Sequence, residues 1–473
     1  MKKKIFTSFI FCFFFSAVSF YSSAQDYKYD ISKYYTPDIV RNSLDFDFNS
    51  YGSYTNTKDK YIVNYLRSDT TNGSSLNGSI NSTFLNLKNT RKRISSIQLT
   101  GNFQIANSSY NPGIDIYSNR SFNSSNYLGL TYSNRYYKTK NHFLSFGINS
   151  FLNDNVSKNN TGNASTFSNN YKNNAGIGLS PSIGIGTGRI ESVEDARQAL
   201  YILKELSGKG VLTRQLTDDE IFNLSQQISR VKNKRFLDSR LHLMDEIASV
   251  DSFFVNNNLI DKSDATYFTN LYDLWVNGAN FSRKSGHEFR IDFSPSVSWY
   301  YNKNQLNSEN GNDTTTDNQK NYNGNLAFSY SYEKPVNLNW QHSVNAVLYG
   351  YSNFQKNRTN TQPWYNLNYS GVNFNGSYTI GYFPNTRTNL RVGISETLNQ
   401  DYSKSYTKLF DSNPWYKSFT SITSFNFTAY YYLSAQLRIS GNASLYKKYN
   451  KNDYGTINDF NTGFSAGLNY SFF

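Results

Sequence analysis

The chain has 473 residues and a formal charge of +13, with 40 tyrosines, 36 phenylalanines, 8 prolines, 4 histidines and 1 cysteine. One cysteine excludes a disulfide framework or a thiolate metal site within a single copy. The basic excess shows no patch of interleaved aromatic and basic residues, which argues against nucleic acid and suits phosphate-bearing lipid headgroups.

Met1-Lys2-Lys3-Lys4, an apolar run to about Phe20 and the small residues Ser22-Ser23-Ala24 predict a signal peptide over 1–24, cleaved before Gln25. Cys12 lies within it after Phe11, so no lipoprotein box is expected and the mature chain has no thiol. Without the three leading lysines the charge falls to about +10. Residues 25–42 read as a short periplasmic segment. No later run reaches the roughly eighteen consecutive apolar residues of a membrane helix. Alternation takes over instead: Ile97, Leu99, Phe103 and Ile105 oppose Gln98, Thr100, Asn102 and Gln104. Such segments begin near residues 43, 74, 94, 126, 142 and 173, giving strands 1–6 over 43–187.

Residues 188–285 change period. Val193, Ala196, Leu200, Leu203 and Leu206 repeat as one helix face, with Ser192 and Asp195 as a capping box and Gly208 at the C-cap. Thr217 and Glu220 open a second helix bearing Ile221, Leu224, Ile228 and Val231. A third carries Phe236, Leu237, Leu241, Met244, Ile247 and Phe254, and a fourth, after Ser263, carries Phe268, Leu271, Tyr272 and Trp275. Leu200, Leu224, Met244 and Phe268 are expected to pack among themselves or against a barrel mouth.

Alternation resumes over 286–473, with starts near 286, 322, 338, 367, 388, 416, 435 and 459. Val372, Phe374, Tyr378 and Ile380 oppose Asn373, Asn375, Ser377 and Thr379. Leu437, Ile439, Gly441, Ala443 and Leu445 oppose Arg438, Ser440, Asn442 and Ser444. The final strand sets Phe460, Phe464, Leu468 and Phe472 against Asn461, Ser465, Asn469 and Ser471. The polar face is mostly Asn, Ser, Thr and Gly, which suits a water-filled interior better than the charged surface of a soluble sandwich. The predicted fold is an all-β transmembrane antiparallel β-barrel of about 14 strands with an all-α helical insert. Tight turns at 89–93, 137–141, 333–337, 383–387 and 433–434 alternate with polar loops expected at 55–73, 153–170 and 302–321. An even strand count places the insert and both mature termini on the periplasmic, short-turn side.

The ending on Phe473 resembles the assembly signal of Gram-negative outer-membrane barrels, although the alternation is in register with Phe472. The implied partners are outer-membrane lipid and the barrel-assembly machinery. The insert resembles a helical region of uncharacterised outer-membrane barrel proteins, through Gly188-Arg189-Ile190-Glu191, Val193, Asp195-Ala196-Arg197, Arg235-Phe236-Leu237-Asp238-Ser239-Arg240 and Asp264-Ala265-Thr266-Tyr267-Phe268-Thr269. That resemblance implies no activity.

No catalytic constellation is legible. Gly184-Ile-Gly-Thr-Gly188 has the wrong spacing for a dinucleotide loop. Gly176, Gly178, Gly184 and Gly186 instead read as lumen-face glycines leaving room for a loop, helix or solute. His142, His287 and His342 fall on strands too far apart to share a metal, and His242 lies in the insert. No enzyme activity, cofactor or metal is expected. Arg290, Asp292, Arg391 and Arg438 are candidate lumen charges, forming a solute filter or an internal ion-pair network. Arg189, Glu191, Asp195, Arg235, Asp238 and Arg240 are the candidate insert surface, and Arg197, Arg230 and Arg240 are expected within reach of a partner. Two functions follow: a passive or gated channel for small solutes, or a non-enzymatic anchor whose insert docks a periplasmic protein or peptidoglycan.

Overall fold

The computed structural model describes residues 29–470 apart from 64, 112–117, 163–166, 234–241, 262–263, 279–280, 310, 361–363, 407–415 and 435–436. The expected signal peptide, Phe472 and Phe473 lie outside the described residues. Six strands come first: β1 (Ile39–Val63), β2 (Tyr65–Asn89), β3 (Arg93–Asn111), β4 (Ser118–Tyr137), β5 (His142–Gly162) and β6 (Phe167–Ser192). Four helices follow: α1 (Glu194–Gly208), α2 (Asp218–Asn233), α3 (Leu243–Asn256) and α4 (Ala265–Asn277). The remaining strands are β7 (Lys284–Ser308), β8 (Gly311–Pro335), β9 (Trp340–Thr359), β10 (Tyr365–Tyr382), β11 (Thr388–Tyr406), β12 (Tyr416–Tyr432), β13 (Leu437–Asn452) and β14 (Gly455–Tyr470). Together they form one 14-stranded antiparallel sheet in sequence order, with β1 and β14 at its edges.

Three segments expected as loops are strand. The ladder runs from Thr55↔Gly73 to Val63↔Tyr65, from Asn153↔Gly176 to Gly162↔Phe167, and from Asn302↔Asp317 to Ser308↔Gly311. Their Asn, Ser and Thr side chains carry no apolar period, but backbone pairing does not require one. As a result β1, β2, β7 and β8 each reach 25 residues, roughly 80 Å at about 3.3 Å per residue.

The β6–β7 ladder is interrupted between Leu179↔Val297 and Ile183↔Phe293, where Pro181 and Pro295 lie. Proline has no N–H to donate, so pairing lapses in mid-strand. The Ser180 hydroxyl contacts the Pro295 carbonyl at 3.5 Å.

Burial is inverted relative to a sheet that folds in water. On the apolar face Phe293 is 48 % and Trp299 46 % exposed, whereas Ser145, Glu288, Asn321, Asn357 and Asn373 of the polar face are buried.

The helical domain has its own core. Val193, Ala196, Leu200, Leu203 and Leu206 are buried as their spacing predicts, as are Ile221, Leu224, Ile228 and Val231. α3 contributes Ile247, Val250 and Phe254, but Met244 is 71 % exposed, and Phe236, Leu237 and Leu241 lie outside the described residues. α4 buries Tyr267, Leu271, Leu274 and Trp275 while Phe268 and Tyr272 face out. Two apolar stripes overlap at Leu271 and Trp275 on this helix, and spacing alone does not choose between them. The cap comes from Asp264, which accepts from the Tyr267 N–H at 2.8 Å.

The Thr217–Glu220 box forms, with Thr217 N–H donating to Glu220 at 2.8 Å and Glu220 N–H to Thr217 Oγ1 at 3.3 Å. The Ser192–Asp195 box does not. Ser192 ends β6, Val193 takes the N-cap position without a side-chain bond, and Asp195 is held by Lys232 at 2.7 Å. Past α1 the left-handed residue is Gly210 (φ 68°) rather than Gly208. The segment before β1 also joins this core through Tyr29, Ile31 and Tyr34.

Candidate functional site

The helical domain meets the strand ends through a set of arginines that the bend between strand and helix aims inward. β6 and β7 stay paired down to Ser192↔Lys284. Gly188 (φ 94°) and Gly286 (φ 118°) turn them there, and a Cβ on either would collide with a carbonyl of the partner strand, His287 or Arg189.

Arg189 then reaches the β2–β3 turn. It donates to the carbonyls of Thr90 and Arg91, each at 3.1 Å, and to Asn89 Oδ1 at 2.7 Å, with Glu191 2.6 Å from its Nε. Glu191 also accepts from Arg91 at 3.0 Å and from Thr36 at 3.1 Å. The Arg91 guanidinium lies 3.7 Å from the Tyr35 ring centre, and Gln226 donates to the Tyr35 carbonyl at 2.7 Å.

On the far side Arg283 is buried. It donates to Gln341 Oε1 at 2.9 Å and to the carbonyls of Leu338, Asn337 and Trp340 at 2.5, 2.8 and 2.7 Å, which fastens the domain to the β8–β9 turn. Burial, and secondly the nearby Arg197 cation, pulls the Arg283 guanidinium down to about 9. Arg197 is 0 % exposed and donates to the Gly278 and Phe281 carbonyls at 3.1 and 2.6 Å. Its pKa is likewise lowered by burial, and its expected place within reach of a partner is incorrect. Tyr201 Oη donates to the Phe383 carbonyl at 3.2 Å, and Arg387 to Asp273 at 2.6 Å, adding the β10–β11 turn.

The structure therefore brings Arg189 and Glu191 together on strand ends. Asp195 is buried against Lys232, Arg230 is exposed, and Arg235, Asp238 and Arg240 lie outside the described residues. Burial raises the Glu194 carboxyl above its usual range, and Lys232, 3.9 Å away, opposes the shift.

On the polar face Arg290 Nε lies 2.5 Å from Asp292, which also accepts from Ser145 Oγ at 2.9 Å; Arg135 pairs with Glu288 at 2.7 Å. Arg391 and Arg438 stand apart from this pair. Arg391 donates to Asn389 Oδ1 at 3.3 Å, and Arg438 lies 5.1 Å from the Tyr430 ring centre. The room expected over Gly176, Gly178 and Gly186 is taken by the rings of Tyr300, Phe151 and Phe143, and Gly184 faces Asp292 and Ser145.

His342 Nδ1 contacts the Tyr378 hydroxyl at 2.7 Å, and His242 lies 3.3 Å from Asp245. Among the described residues no group of three or more His, Cys, Asp or Glu is placed to hold a metal, and no helix is long and apolar enough to cross a membrane.

The chain matches no protein-family model and no curated protein. Arg283, Thr36, Arg91 and Arg387 escaped sequence reasoning because each is an isolated polar residue beside a turn, without a period to mark it.

Proposed function

We propose that the sheet closes as an outer-membrane barrel and serves as a conduit for small solutes, gated by the helical domain across its periplasmic end. The carrying observation is the docking of one domain on strand ends: Arg283, between α4 and β7, at β8–β9, and Tyr201 of α1 and Asp273 of α4 at β10–β11, while Arg189 ties the adjoining end of β6 to β2–β3. A separate adaptor has no need of so many bonds to its own strands. The exposed apolar band supports the membrane setting. From Phe289 to Trp299 on β7 it rises about 25 Å once strands are tilted by about 40°, which matches a bilayer. Closure by β1–β14 pairing would remove two open edges that lipid cannot satisfy.

Planar-bilayer recording of the full chain tests the conduit: the intact protein should conduct little, and deletion of residues 190–283 should raise conductance. Silence from both proteins would sink it. Protease added to intact cells should spare α1–α4 until the outer membrane is breached.

A second reading, a domain that docks an envelope protein or peptidoglycan, is favoured by the exposed apolar side chains Met244, Phe268 and Tyr272. Crosslinking from Arg230 that captures one stoichiometric partner, lost with the deletion, would support it over the gate.

A further inference from the structure

The apolar face of β7–β10 ends, at its outer margin, in a row of cations. Trp299, Lys320, Lys356 and Asn366 lie side by side across β7, β8, β9 and β10, and Arg358 stands in the next row opposite Asn318. Lys320 and Lys356 are direct cross-strand partners on one face, an arrangement that costs energy unless something negative lies over it. The chain supplies nothing of the kind, because that face of β7–β10 carries no Asp or Glu among the described residues. Glu396, on the same face of β11, already accepts from Ser421 at 2.8 Å and Thr423 at 2.6 Å.

All three cations are exposed, and Trp364 sits among them, 5.8 Å from Lys320 Nζ and 5.9 Å from the Arg358 guanidinium carbon. Lys320, Arg358 and Trp364 line a groove of about 540 Å³, with Lys356 paired to Lys320 beside it.

Directly below, on the same face, a second groove of about 450 Å³ has Gly324, Gly350, Ser352 and Ser370 as its floor and Phe293 and Tyr402 at its edges. Its glycines are not required by packing: a Cβ on Gly324 would meet nothing within 4 Å, and one on Gly350 only the Gly371 carbonyl at 3.9 Å. Glycine weakens a strand, and in a strand interior it often marks a place where something else comes close. Above the cations β7 and β8 continue with Lys303, Gln305, Thr314 and Thr316 on this face, a polar wall at the height of a headgroup.

We propose that this is a binding site for a phosphorylated glycolipid of the outer leaflet, with phosphate on Lys320, Lys356 and Arg358, sugar against the β7–β8 extension and an acyl chain in the glycine-floored groove. Charge complementarity selects this occupant, because a neutral lipid would leave two facing lysines uncompensated. The aromatic neighbours Trp299 and Trp364 belong at the headgroup level, where such rings settle. The site rests on the membrane reading above.

The test uses the full chain in detergent, with lipid retention followed by native mass spectrometry. The probes are diphosphorylated lipid A, its dephosphorylated form and inorganic phosphate. Replacement of all three cations (Lys320→Gln, Lys356→Gln, Arg358→Gln) should weaken binding of the diphosphorylated lipid about fivefold per cation, on the order of a hundredfold in total. Gly350→Leu should weaken lipid retention by filling the groove, with the cations intact. Both substitutions lie on an exposed face, and unchanged migration of the unheated protein on a gel checks folding. Equal retention of the dephosphorylated lipid, undiminished binding by the triple variant, or phosphate held as tightly as lipid would each overturn the proposal. Flotation of wild-type protein with membranes separates the two ideas: failure to float sinks the membrane reading, whereas normal flotation with no lipid selectivity sinks the site alone.

Discussion

Replacing Arg283 by Met should release the helical domain from the strand ends. Two effects compete. Burying the guanidinium is costly: the fall from 12.5 to about 9 corresponds to a penalty on the order of 5 kcal/mol, which Met would relieve. Against that stand four charge-assisted hydrogen bonds, each roughly 1.5–3 kcal/mol, and the Asn337 and Leu338 carbonyls left without this donor at a further cost of roughly 1 kcal/mol or more each, whereas the Trp340 carbonyl keeps the Val336 N–H at 2.9 Å. Taking the low end of each contribution, the variant loses about 3 kcal/mol of docking free energy. That is about 150-fold in the docked equilibrium. Limited trypsin digestion in detergent reads it directly, because sites within α1–α4 are cut only as fast as the domain opens. Cleavage there should accelerate at least a hundredfold while the unheated protein migrates as before. An unchanged rate would refute the idea that Arg283 holds the domain, and slower cleavage would show that the desolvation cost outweighs the bonds.

Other outcomes follow from groups in the same region. Burial, and then the Asp218, Asp30 and Asp219 carboxylates, push the Tyr29 hydroxyl up to about 12; a raised acid contributes stability that is complete below pH 10 and lost as pH rises from 10 through about 12. Alkaline unfolding of the helical domain, followed by circular dichroism, should therefore shift upward in Tyr29→Phe; identical curves would count against this origin. The bonds from Arg214 and Thr217 hold the Glu220 carboxyl down at about 2, so its contribution is present above pH 4.5 and disappears as pH falls toward 2. Being largely exposed, it should give only a small acid-dependent loss of helix signal, absent in Glu220→Gln. Gly188→Ala forces a side chain into φ 94° against the His287 carbonyl and should cost about 3 kcal/mol or more, lowering the yield of folded protein. Gly210→Ala, at φ 68° in open space, should cost only about 1 kcal/mol; equal yields from the two variants would contradict the close approach at Gly188.

The sheet was legible because apolar alternation is a strong signal: Ile177, Leu179, Ile183 and Ile185 declare one face without help from the rest of the chain. The upper strands were not, because Asn169 to Asn174 pair through the backbone and their side chains report neither face. The first two helices read correctly from Leu200 and Leu224. α4 did not, since Tyr267 and Phe268 are equally apolar and only the Asp264 cap shows which turns inward. The docking arginines were least accessible. Arg189 was noticed as a charge in a motif, but its partners at Asn89, Thr90 and Arg91 are about a hundred residues away, and nothing in a single sequence encodes that meeting. Arg197 shows the same limit from the other side: its charge argued for the surface, and the carbonyls that bury it belong to the end of the insert.

The two opposed prolines on β6 and β7 put a joint in the strand pair from which the helical domain emerges. Above them the ladder binds Ser168 to Ser308, and below them it binds Ser192 to Lys284 beside the helices. A continuous ladder would behave as a single lever, carrying any tilt of the far tip straight to Arg189 and the domain beside it. With N–H donors missing at Pro181 and Pro295, the direct tie between β6 and β7 shrinks there to a 3.5 Å hydroxyl contact, and the unbroken β5 and β8 ladders carry the register past it. Twist between the two strands is taken up at this joint, while their lower ends stay paired beside the helices.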